Sequence, residues 1–345
     1  MKVLYSVSCQ DALNPFLETL TKAIKVENQD IKFGFNSFSI WDDSVYNYDI
    51  LHIMWPEFLI NDDHSSIELK HRLIEIKSKG VHLVSTCHNL APHYCCNQEK
   101  LKAVRYAYEL SEIIHHMGQW SLEYLKKQYP NVRHELIPHH IYDNMYTNFP
   151  SKEEACLHLG LSPYNNYILC LGAFRNQEEE ELVMYVAKQL KSNMKLIAPS
   201  LILDMGNRFD LKKRIKYYML KYITNHNRLI SNIGYINNSE LPYFMAISDI
   251  SLIQRLKILN SGNLTLGMYA GNVIIGPNMG NVGKIINDTD NYTFTKKEDI
   301  PGLIDQALTA AKSGKGIRNR KFSMSNWSSS TIAKQILSSY KTLMA

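Results

Sequence analysis

Residues 49–87, DILHIMWPEFLINDDHSSIELKHRLIEIKSKGVHLVSTC, contain the alternation that decides the fold. The apolar run 49–54 predicts a buried strand that ends before Pro56. Residues 65–79 show helical spacing and stop at Gly80, and a second apolar run follows at once over 81–87. Strand, helix and strand at this spacing are typical of a parallel sheet that is covered on both faces.

The same alternation extends in both directions from this stretch. It continues to residue 137, passes through a turn-rich stretch at 139–151, and then restarts. We therefore predict an α/β protein with two doubly wound, Rossmann-like domains that face a cleft. The predicted divisions are residues 1–150, residues 151–326 and a C-terminal segment, 327–345, with a helix at 331–343. Ligands of open α/β sheets bind beyond the carboxyl ends of strands, so we expect site residues in the loops that follow them.

The composition is that of an ordinary globular protein. Of 345 residues, 38 are Lys or Arg and 33 are Asp or Glu, a net charge of +5, and 45% are hydrophobic. These values exclude a disordered or fibrous chain, and so mild a charge excludes a dedicated nucleic-acid binder. The N-terminal apolar run is too short for a signal peptide. The six cysteines form no Cys-x-x-Cys pair, which favours a reducing cytoplasm and argues against a metal site.

Three loops of the first domain carry candidate residues. Trp55 offers a flat apolar face for a sugar or a base, and Glu57 suits hydroxyl binding or general-base catalysis. An equally good interpretation is that Trp55 belongs to the core and that Glu57 is a solvated loop charge. His88 and His93 follow the strand 81–87, where His88 either acts as a base or sugar ligand or merely caps the loop. His139, between the domains, is either a ligand contact or part of a polar hinge.

Two stretches of the second domain are candidates for phosphate binding. Gly172 and Arg175 follow a predicted strand, where backbone amides and a guanidinium would meet a diphosphate. The more informative stretch joins a strand to a helix and combines cations with small polar residues. Its candidate residues are Arg255, Lys257, Asn260, Ser261, Gly262, Asn263 and Thr265. This pattern is a plausible anion cradle, although it matches neither a Walker motif nor Gly-x-Gly-x-x-Gly, and helix capping is compatible with it.

At these residues the sequence resembles the GT-B nucleotide-sugar glycosyltransferases, and most closely the glycolipid 4-beta-mannosyltransferases of the xanthan assembly pathway. The resemblance runs from Asn14-Pro15-Phe16 to the final helix. Its most specific pieces occur in the family's order, and they are His52 to Glu57, His88 to His93, Pro138 to Asp143, and Asn260-Ser261-Gly262.

The resemblance implies transfer of a sugar from a nucleoside diphosphate sugar, with GDP-mannose favoured, to a saccharide or lipid-linked saccharide in cell-surface polysaccharide assembly. It implies an inverting, metal-independent enzyme without a cofactor. The first domain would bind the acceptor through Trp55, His93 and His139, and the second would bind the donor. The final helix would cross back to the first domain.

Four departures from the family pattern stand out. Relatives have Arg-Pro-Tyr-Lys-Gly where this chain has Arg175-Asn176-Gln177-Glu178-Glu179, so an acid replaces the expected lysine. Met54 replaces a histidine, Tyr94 replaces a glutamate, and the Glu-x7-Glu element of retaining enzymes is absent from 258–271.

The hypothesis is an inverting transferase in which Arg175 and Lys257 neutralise the leaving diphosphate and Glu57 or His88 is the base. Two alternatives remain, a retaining UDP-sugar transferase and a non-catalytic protein that binds a nucleotide or a saccharide. The basic helix 211–221 could also hold the protein on the anionic inner face of the membrane, although such a helix is more often a solvated surface.

Overall fold

A computed structural model describes residues 1–7, 15–36, 39–91, 97–202, 211–225, 228–231 and 233–344. The chain forms two compact units. The N-terminal unit contains Met1–Met145 and Trp327–Ala345, and the C-terminal unit contains Tyr146–Asn326. The division lies before the predicted position at residue 150 because Tyr146 already belongs to the C-terminal unit. Its hydroxyl donates to Asn238 Oδ1 at 3.0 Å, and its carbonyl accepts from the Tyr269 hydroxyl at 2.8 Å.

The N-terminal unit is built on a parallel sheet of six strands in the order β2-β1-β3-β4-β5-β6. The strands are β1 (Lys2–Tyr5), β2 (Lys32–Phe35), β3 (Ile50–Ile53), β4 (His82–Cys87), β5 (Ile113–His116) and β6 (Arg133–Leu136). The helices between them are α1 (Pro15–Glu27), α2 (Ser66–Ser78), α3 (Gln98–Leu110) and α4 (Gln119–Gln128).

Local sequence explains the unit β3-α2-β4 that the opening stretch predicts. The Ser65 hydroxyl accepts the Glu68 amide, and the Glu68 carboxylate accepts the Ser65 amide at 2.7 Å, so a capping box begins α2. Leu69, Leu73 and Ile76 form the buried face of α2 against the sheet. Gly80 follows with a φ of +88°, a conformation that glycine adopts without strain.

The C-terminal unit has a second parallel sheet of six strands, in the order β12-β11-β10-β7-β8-β9. The strands are β7 (Asn166–Leu169), β8 (Met194–Ala198), β9 (Leu229–Ser231), β10 (Ile250–Leu252), β11 (Val273–Pro277) and β12 (Tyr292–Phe294). The helices are α5 (Lys152–Leu159), α6 (Gln177–Gln189), α7 (Leu211–Asn225), α8 (Leu241–Ile247), α9 (Gly262–Ala270), α10 (Gly280–Asp288), α11 (Ile300–Lys312) and α12 (Lys315–Trp327).

The last helix, α13 (Ser329–Lys341), packs on α1 of the N-terminal unit. Asp143 accepts hydrogen bonds from the Ser329 amide at 2.8 Å and from its hydroxyl at 2.5 Å, which holds the start of the helix. Near its end, the buried Tyr340 hydroxyl lies 3.0 Å from the Tyr5 hydroxyl and 2.5 Å from His52 Nδ1. The C-terminal segment is therefore an integral part of the N-terminal core.

The strand orders identify a switch point in each sheet, where the chain reverses its direction of travel across the sheet. In the N-terminal unit it lies between β1 and β3, and in the C-terminal unit between β7 and β10. Crevices beyond the carboxyl ends of strands at such points are where doubly wound folds bind ligands.

The predicted α/β class with two doubly wound sheets is confirmed. Four elements of the C-terminal unit were not predicted, namely α10, β12, α11 and α12. β12 is only three residues long, and α12 is rich in polar and basic residues, so neither shows a clear period. Among the described helices, none combines the length and the apolar character needed to cross a membrane.

Candidate functional site

Two loops at the switch point of the C-terminal sheet are tied together by side chains. We call residues 170–176, which follow β7, and residues 253–261, which follow β10, the loop pair. Gln254 Nε2 and Asn263 Nδ2 donate to the Leu171 carbonyl at 3.2 and 3.0 Å. Arg255 Nη2 donates to the Ala173 carbonyl at 3.1 Å. Three of the candidate donor-binding residues, Gly172, Arg255 and Asn263, therefore lie at one place.

Gly172 lies between the two residues, Leu171 and Ala173, whose carbonyls accept the hydrogen bonds that join the loop pair. Its φ is +94°, which strains any residue with a side chain. A Cβ atom at this position would lie 3.4 Å from Asn263 Nδ2 and 3.5 Å from Arg255 Nη2. The position therefore requires glycine because of its backbone conformation. The neighbouring side chains are no obstacle, since a Cβ atom would make only ordinary van der Waals contacts with them.

A buried carboxylate, Glu179, organises the cations beside Gly172. Its Oε2 atom accepts the Arg175 amide at 3.0 Å and lies 3.5 Å from Arg255 Nη1. The Asn176 side chain accepts the Glu179 amide at 3.0 Å and caps α6. Because the Arg255 charge already faces a carboxylate, Arg255 positions the loops, whereas Lys257 is exposed to solvent.

The role of Glu179 was not predicted from the sequence, in which residues 176–179 stand out only as a departure from a family pattern, whereas Arg175 was a candidate donor-binding residue. A signal was present, since Asn176 and Glu179 have the spacing of a helix N-cap residue and its N3 position. Nothing in the sequence indicated that the carboxylate would pair with Arg255.

The end of the second loop runs into the start of α9. Ser261 is the N-cap residue, with an extended φ of −145°, and its side chain makes no capping hydrogen bond. The first amides of an α-helix have no partner within the helix and attract negative charge. Gly262 begins the helix, so Ser261, Gly262 and Asn263 lie where an anion is best bound.

Asn260 and Thr265 have different surroundings from these three residues. Asn281, at the start of α10, donates to Asn260 Oδ1 at 2.7 Å, and the Val282 amide donates to the Leu259 carbonyl at 3.2 Å. Asn260 is thus held against α10, a helix that was not predicted. Thr265 is buried, and its hydroxyl donates to the Gly262 carbonyl at 3.1 Å within α9.

A cluster of rings lies beyond β3 and β4 in the N-terminal unit. Trp55 and His88 are stacked with their centroids 4.5 Å apart, and Phe16 meets His88 edge-on at 5.5 Å. His139 lies 4.7 Å from the same Phe16 ring. We call Phe16, Trp55, His88 and His139 the ring cluster. The structure brings together three predicted residues around Phe16, an aromatic residue that the sequence analysis did not identify as a site residue.

His139 is neutral at physiological pH. Burial lowers its pKa to about 4, and this outweighs the hydrogen bond from its ring to the His140 carbonyl, 2.7 Å from Nδ1. A neutral imidazole can accept or donate a hydrogen bond but adds no charge to the cluster.

Glu57 lies in a short 3-10 turn, Pro56–Phe58, that packs on α3. It is buried, and burial raises the pKa of its carboxyl, while Lys100 of α3 lowers it to a smaller extent. Burial raises the pKa of Tyr108 on the same helix, and the charge of Glu57 raises it further to a smaller extent. Glu57 therefore interacts with Lys100 and Tyr108 of α3, whereas His88 belongs to the ring cluster. His93 lies outside the described residues.

Among the described residues no group of three or more His, Cys, Asp or Glu side chains is arranged to hold a metal ion. The two regions themselves offer backbone amides, cations and imidazoles. The loop pair can bind an anion, and the ring cluster can stack on an apolar face and accept a proton.

No protein-family model matches the sequence, and a search of curated proteins finds no match. The chain is similar in structure to sucrose-phosphate synthase from Thermosynechococcus elongatus, with a TM-score of 0.77, 13% identity, and coverage of 99% of this chain and 98% of that one. It is similar to HepE from Anabaena, solved with UDP, with a TM-score of 0.72, 14% identity, and coverage of 99% and 100%. A glycosyltransferase from Rickettsia africae gives a TM-score of 0.67 at 14% identity, with coverage of 99% and 98%. These likenesses extend over nearly the whole chain, which has the two-domain α/β fold of GT-B glycosyltransferases.

Proposed function

We propose that the protein is a glycosyltransferase that moves a sugar from a nucleoside diphosphate sugar to a hydroxyl group of an acceptor. The observation that carries the proposal is the loop pair, in which a glycine loop and a helix start are tied together at the switch point of the C-terminal sheet. Nucleotides bind at this place in doubly wound folds. HepE, which has the same fold, was solved with UDP and with UDP-glucose, and this supports the proposal.

On the donor side, the diphosphate would lie against the start of α9, at Ser261, Gly262 and Asn263. Arg175 and Lys257 would neutralise the charge that develops as the nucleoside diphosphate leaves. Fixed cations and amide dipoles stabilise a leaving diphosphate without reorganisation, so the proposed reaction is independent of a metal.

On the acceptor side, Trp55 would stack on the apolar face of a saccharide, with His139 beside it. The acceptor hydroxyl oxygen would attack the anomeric carbon opposite the diphosphate and invert that centre. Its proton would pass to the His88 imidazole as the bond from the anomeric carbon to the diphosphate oxygen breaks. We favour His88 over Glu57 as the base because His88 belongs to the ring cluster, whereas Glu57 is buried against α3.

The finer assignments rest on the sequence resemblance. It favours GDP-mannose as donor and a saccharide or lipid-linked saccharide of a cell-surface polysaccharide as acceptor. A UDP-sugar is the second candidate donor, and the UDP complexes of HepE favour it. Residues outside the loop pair would select the base.

Binding of GDP, UDP, CMP and dTDP sugars, followed by differential scanning calorimetry, tests the donor. At a concentration about 100 times its dissociation constant, a bound nucleotide stabilises its unit by about 2.7 kcal/mol, which is a shift of about 5–10 °C in melting temperature for a unit of this size. Calorimetry is needed because all four tryptophans, Trp41, Trp55, Trp120 and Trp327, lie in the other unit.

Two substitutions test the loop pair. Arg175→Ala and Ser261→Ala should each weaken nucleotide binding about tenfold or more, since each removes a group at the proposed diphosphate site. Arg318→Ala and Ser325→Ala, at exposed positions of α12, are matched controls and should leave binding unchanged. If the two pairs of variants bind alike, the diphosphate does not lie at the loop pair.

Mass spectrometry of donor and acceptor panels tests the reaction itself. With an active pair, His88→Phe keeps the ring stack but lacks a base, so kcat should fall about 10²–10⁴-fold with unchanged nucleotide binding. Glu57→Gln should leave kcat within a few-fold of the parent, and a chelator should not lower activity. Nucleotide binding without transfer to any acceptor or to water would favour the non-catalytic alternative.

A further inference from the structure

Helix α7 of the C-terminal unit concentrates the positive charge of the chain. Its 15 residues include the cations Lys212, Lys213, Arg214, Lys216 and Lys221 and contain no Asp or Glu. The whole chain has 38 basic and 33 acidic residues, a net charge of +5. Removing the five cations of α7 leaves 33 of each sign, so this one helix accounts for the entire net charge of the protein.

The same helix exposes a row of apolar and aromatic side chains. Leu211, Ile215, Tyr218 and Tyr222 follow one another at intervals of four, three and four residues, which places them on a single face of an α-helix. Each is between 53% and 68% exposed. Met219 lies beside the row, in the groove that Ile215, Tyr218 and Tyr222 also line, and packs against the core of the unit. We call these four residues the α7 stripe.

Cations lie on either side of the α7 stripe. Lys212 and Lys221 are exposed, and Lys221 Nζ lies 5.9 Å from the centroid of the Tyr217 ring. Lys188 of α6 lines the groove that Ile215, Tyr218 and Tyr222 also line. An exposed apolar row flanked by lysines is the arrangement that helices lying on an anionic bilayer use.

We propose that α7 docks the protein on the surface of an anionic lipid bilayer. The stripe would enter the boundary between headgroups and acyl chains, where tyrosine rings are favoured, and the lysines would face the lipid phosphates. A nucleic acid would meet the same cations, but the aliphatic Leu211 and Ile215 would add nothing to base stacking. The proposal does not rest on the transferase reaction, since vesicle binding needs neither donor nor acceptor.

Flotation of the full-length protein with vesicles tests the proposal directly. Binding should be strong to vesicles that contain phosphatidylglycerol and weak to vesicles of phosphatidylcholine alone. Raising the salt from about 0.15 M to about 1 M should release much of the protein, because the attraction between charges is screened. Equal binding to both vesicle types, or none to either, would overturn the proposal.

Two pairs of substitutions separate charge from apolar contact. Lys212→Gln with Lys221→Gln should weaken binding to anionic vesicles about thirtyfold, since each lysine near such a surface strengthens binding about fivefold. Lys126→Gln with Lys127→Gln, at exposed positions of α4, removes the same charge and should change binding little. An equal loss in both pairs would mean that net charge alone is responsible, and α7 would not be the docking surface.

For the stripe, Ile215→Ser with Tyr218→Ser should weaken vesicle binding about tenfold or more. Tyr164→Ser with Ile317→Ser, at more exposed positions of the same unit, is the matched control. Circular dichroism of each variant shows whether the fold is kept. Unchanged vesicle binding by the first pair, or tight binding of single-stranded RNA at physiological salt in place of vesicles, would contradict a lipid surface.

Discussion

Acidification should unfold the N-terminal unit well before the C-terminal unit, because buried histidines are concentrated there. His52, His115, His116 and His140 are each at most 2% exposed. Burial lowers the pKa of His115, His116 and His140 to about 3, and that of His52 well below its ordinary value of 6.5. Of the 13 histidines in the chain, only His158 and His226 belong to the C-terminal unit.

The surroundings of His140 show why a proton is excluded. Its Nδ1 atom accepts the Tyr142 amide at 3.2 Å, so Nε2 carries the proton and donates to the Phe16 carbonyl at 3.0 Å. A second proton on Nδ1 would place two donors face to face inside the core. Acidification must therefore either break this contact or unfold the unit.

The sign and size of the effect follow from the pKa values. In the folded unit these four histidines and His139, whose pKa burial lowers to about 4, stay neutral near pH 5, whereas in the unfolded chain each takes up a proton below about pH 6.5. Above pH 6.5 neither state binds these protons, so the histidines do not lower the stability. As the pH falls from 6.5 toward 3, only the unfolded chain binds them, and stability is lost. At pH 5 the loss is about 2 kcal/mol for each of His115, His116, His139 and His140, or about 8 kcal/mol together, and His52 adds to it. Since a domain is stable by about 5–15 kcal/mol in total, most of its stability should be gone by pH 5.

Urea unfolding followed by tryptophan fluorescence measures this unit alone, because it contains all four tryptophans. On acidification near pH 5.5, the free energy of unfolding should fall with a slope of about four to five protons from the five histidines. Glu57 subtracts at most one proton, because its raised pKa acts in the opposite direction. His140→Gln should lower that slope by about one proton, and the exposed His158→Gln should not change it. A slope below two protons, or the same slope in His140→Gln, would refute the reasoning.

Three further predictions concern single contacts. Because Gly172 has a φ of +94°, Gly172→Ala should destabilise the C-terminal unit by about 1–2 kcal/mol in calorimetry and weaken nucleotide binding. The control Gly302→Ala lies in α11 with open space around it, and it should stabilise the unit by up to about 1 kcal/mol. Glu179→Gln leaves Arg255 without its buried counter-charge, so titration calorimetry should show several-fold tighter nucleoside diphosphate binding together with lower stability. The exposed Glu178→Gln should do neither. Tyr340→Phe removes the hydroxyl that joins Tyr5 to His52 and should lower the urea stability of the N-terminal unit by about 1–3 kcal/mol, with Tyr164→Phe, exposed in the other unit, as the neutral control.

Most of the fold could be predicted because buried parallel strands are continuous apolar runs. The run 81–87 and the strand β4, His82–Cys87, differ by one residue, and the helix predicted at 65–79 is α2, Ser66–Ser78. Prediction failed over 278–327. β12 is only three residues long and α12 is rich in polar and basic residues, whereas α10 and α11 are amphipathic helices that were missed. A helix such as α12 depends on packing that its own sequence does not display.

The candidate site was predicted in composition but not in its contacts. Gly172, Arg255 and Asn263 were each identified from loop position, yet their meeting joins loops that are about 80–90 residues apart in the chain. Side-chain directions decide that Arg255 pairs with Glu179 and that Phe16 joins the ring cluster. A sequence has no periodic signal for these directions.

The alternation over residues 49–87 determined the class of fold by itself, because apolar periodicity directly encodes which backbone segments are buried and in what conformation. The same reading of the chain identified the loops in which a site would form. Only the tertiary structure decided that Arg255 faces a buried carboxylate, because the chain brings Glu179 to 3.5 Å from it only in the folded unit. It also decided that α7 presents its apolar row to the outside, since a helical pattern in sequence has no information on which face the sheet covers.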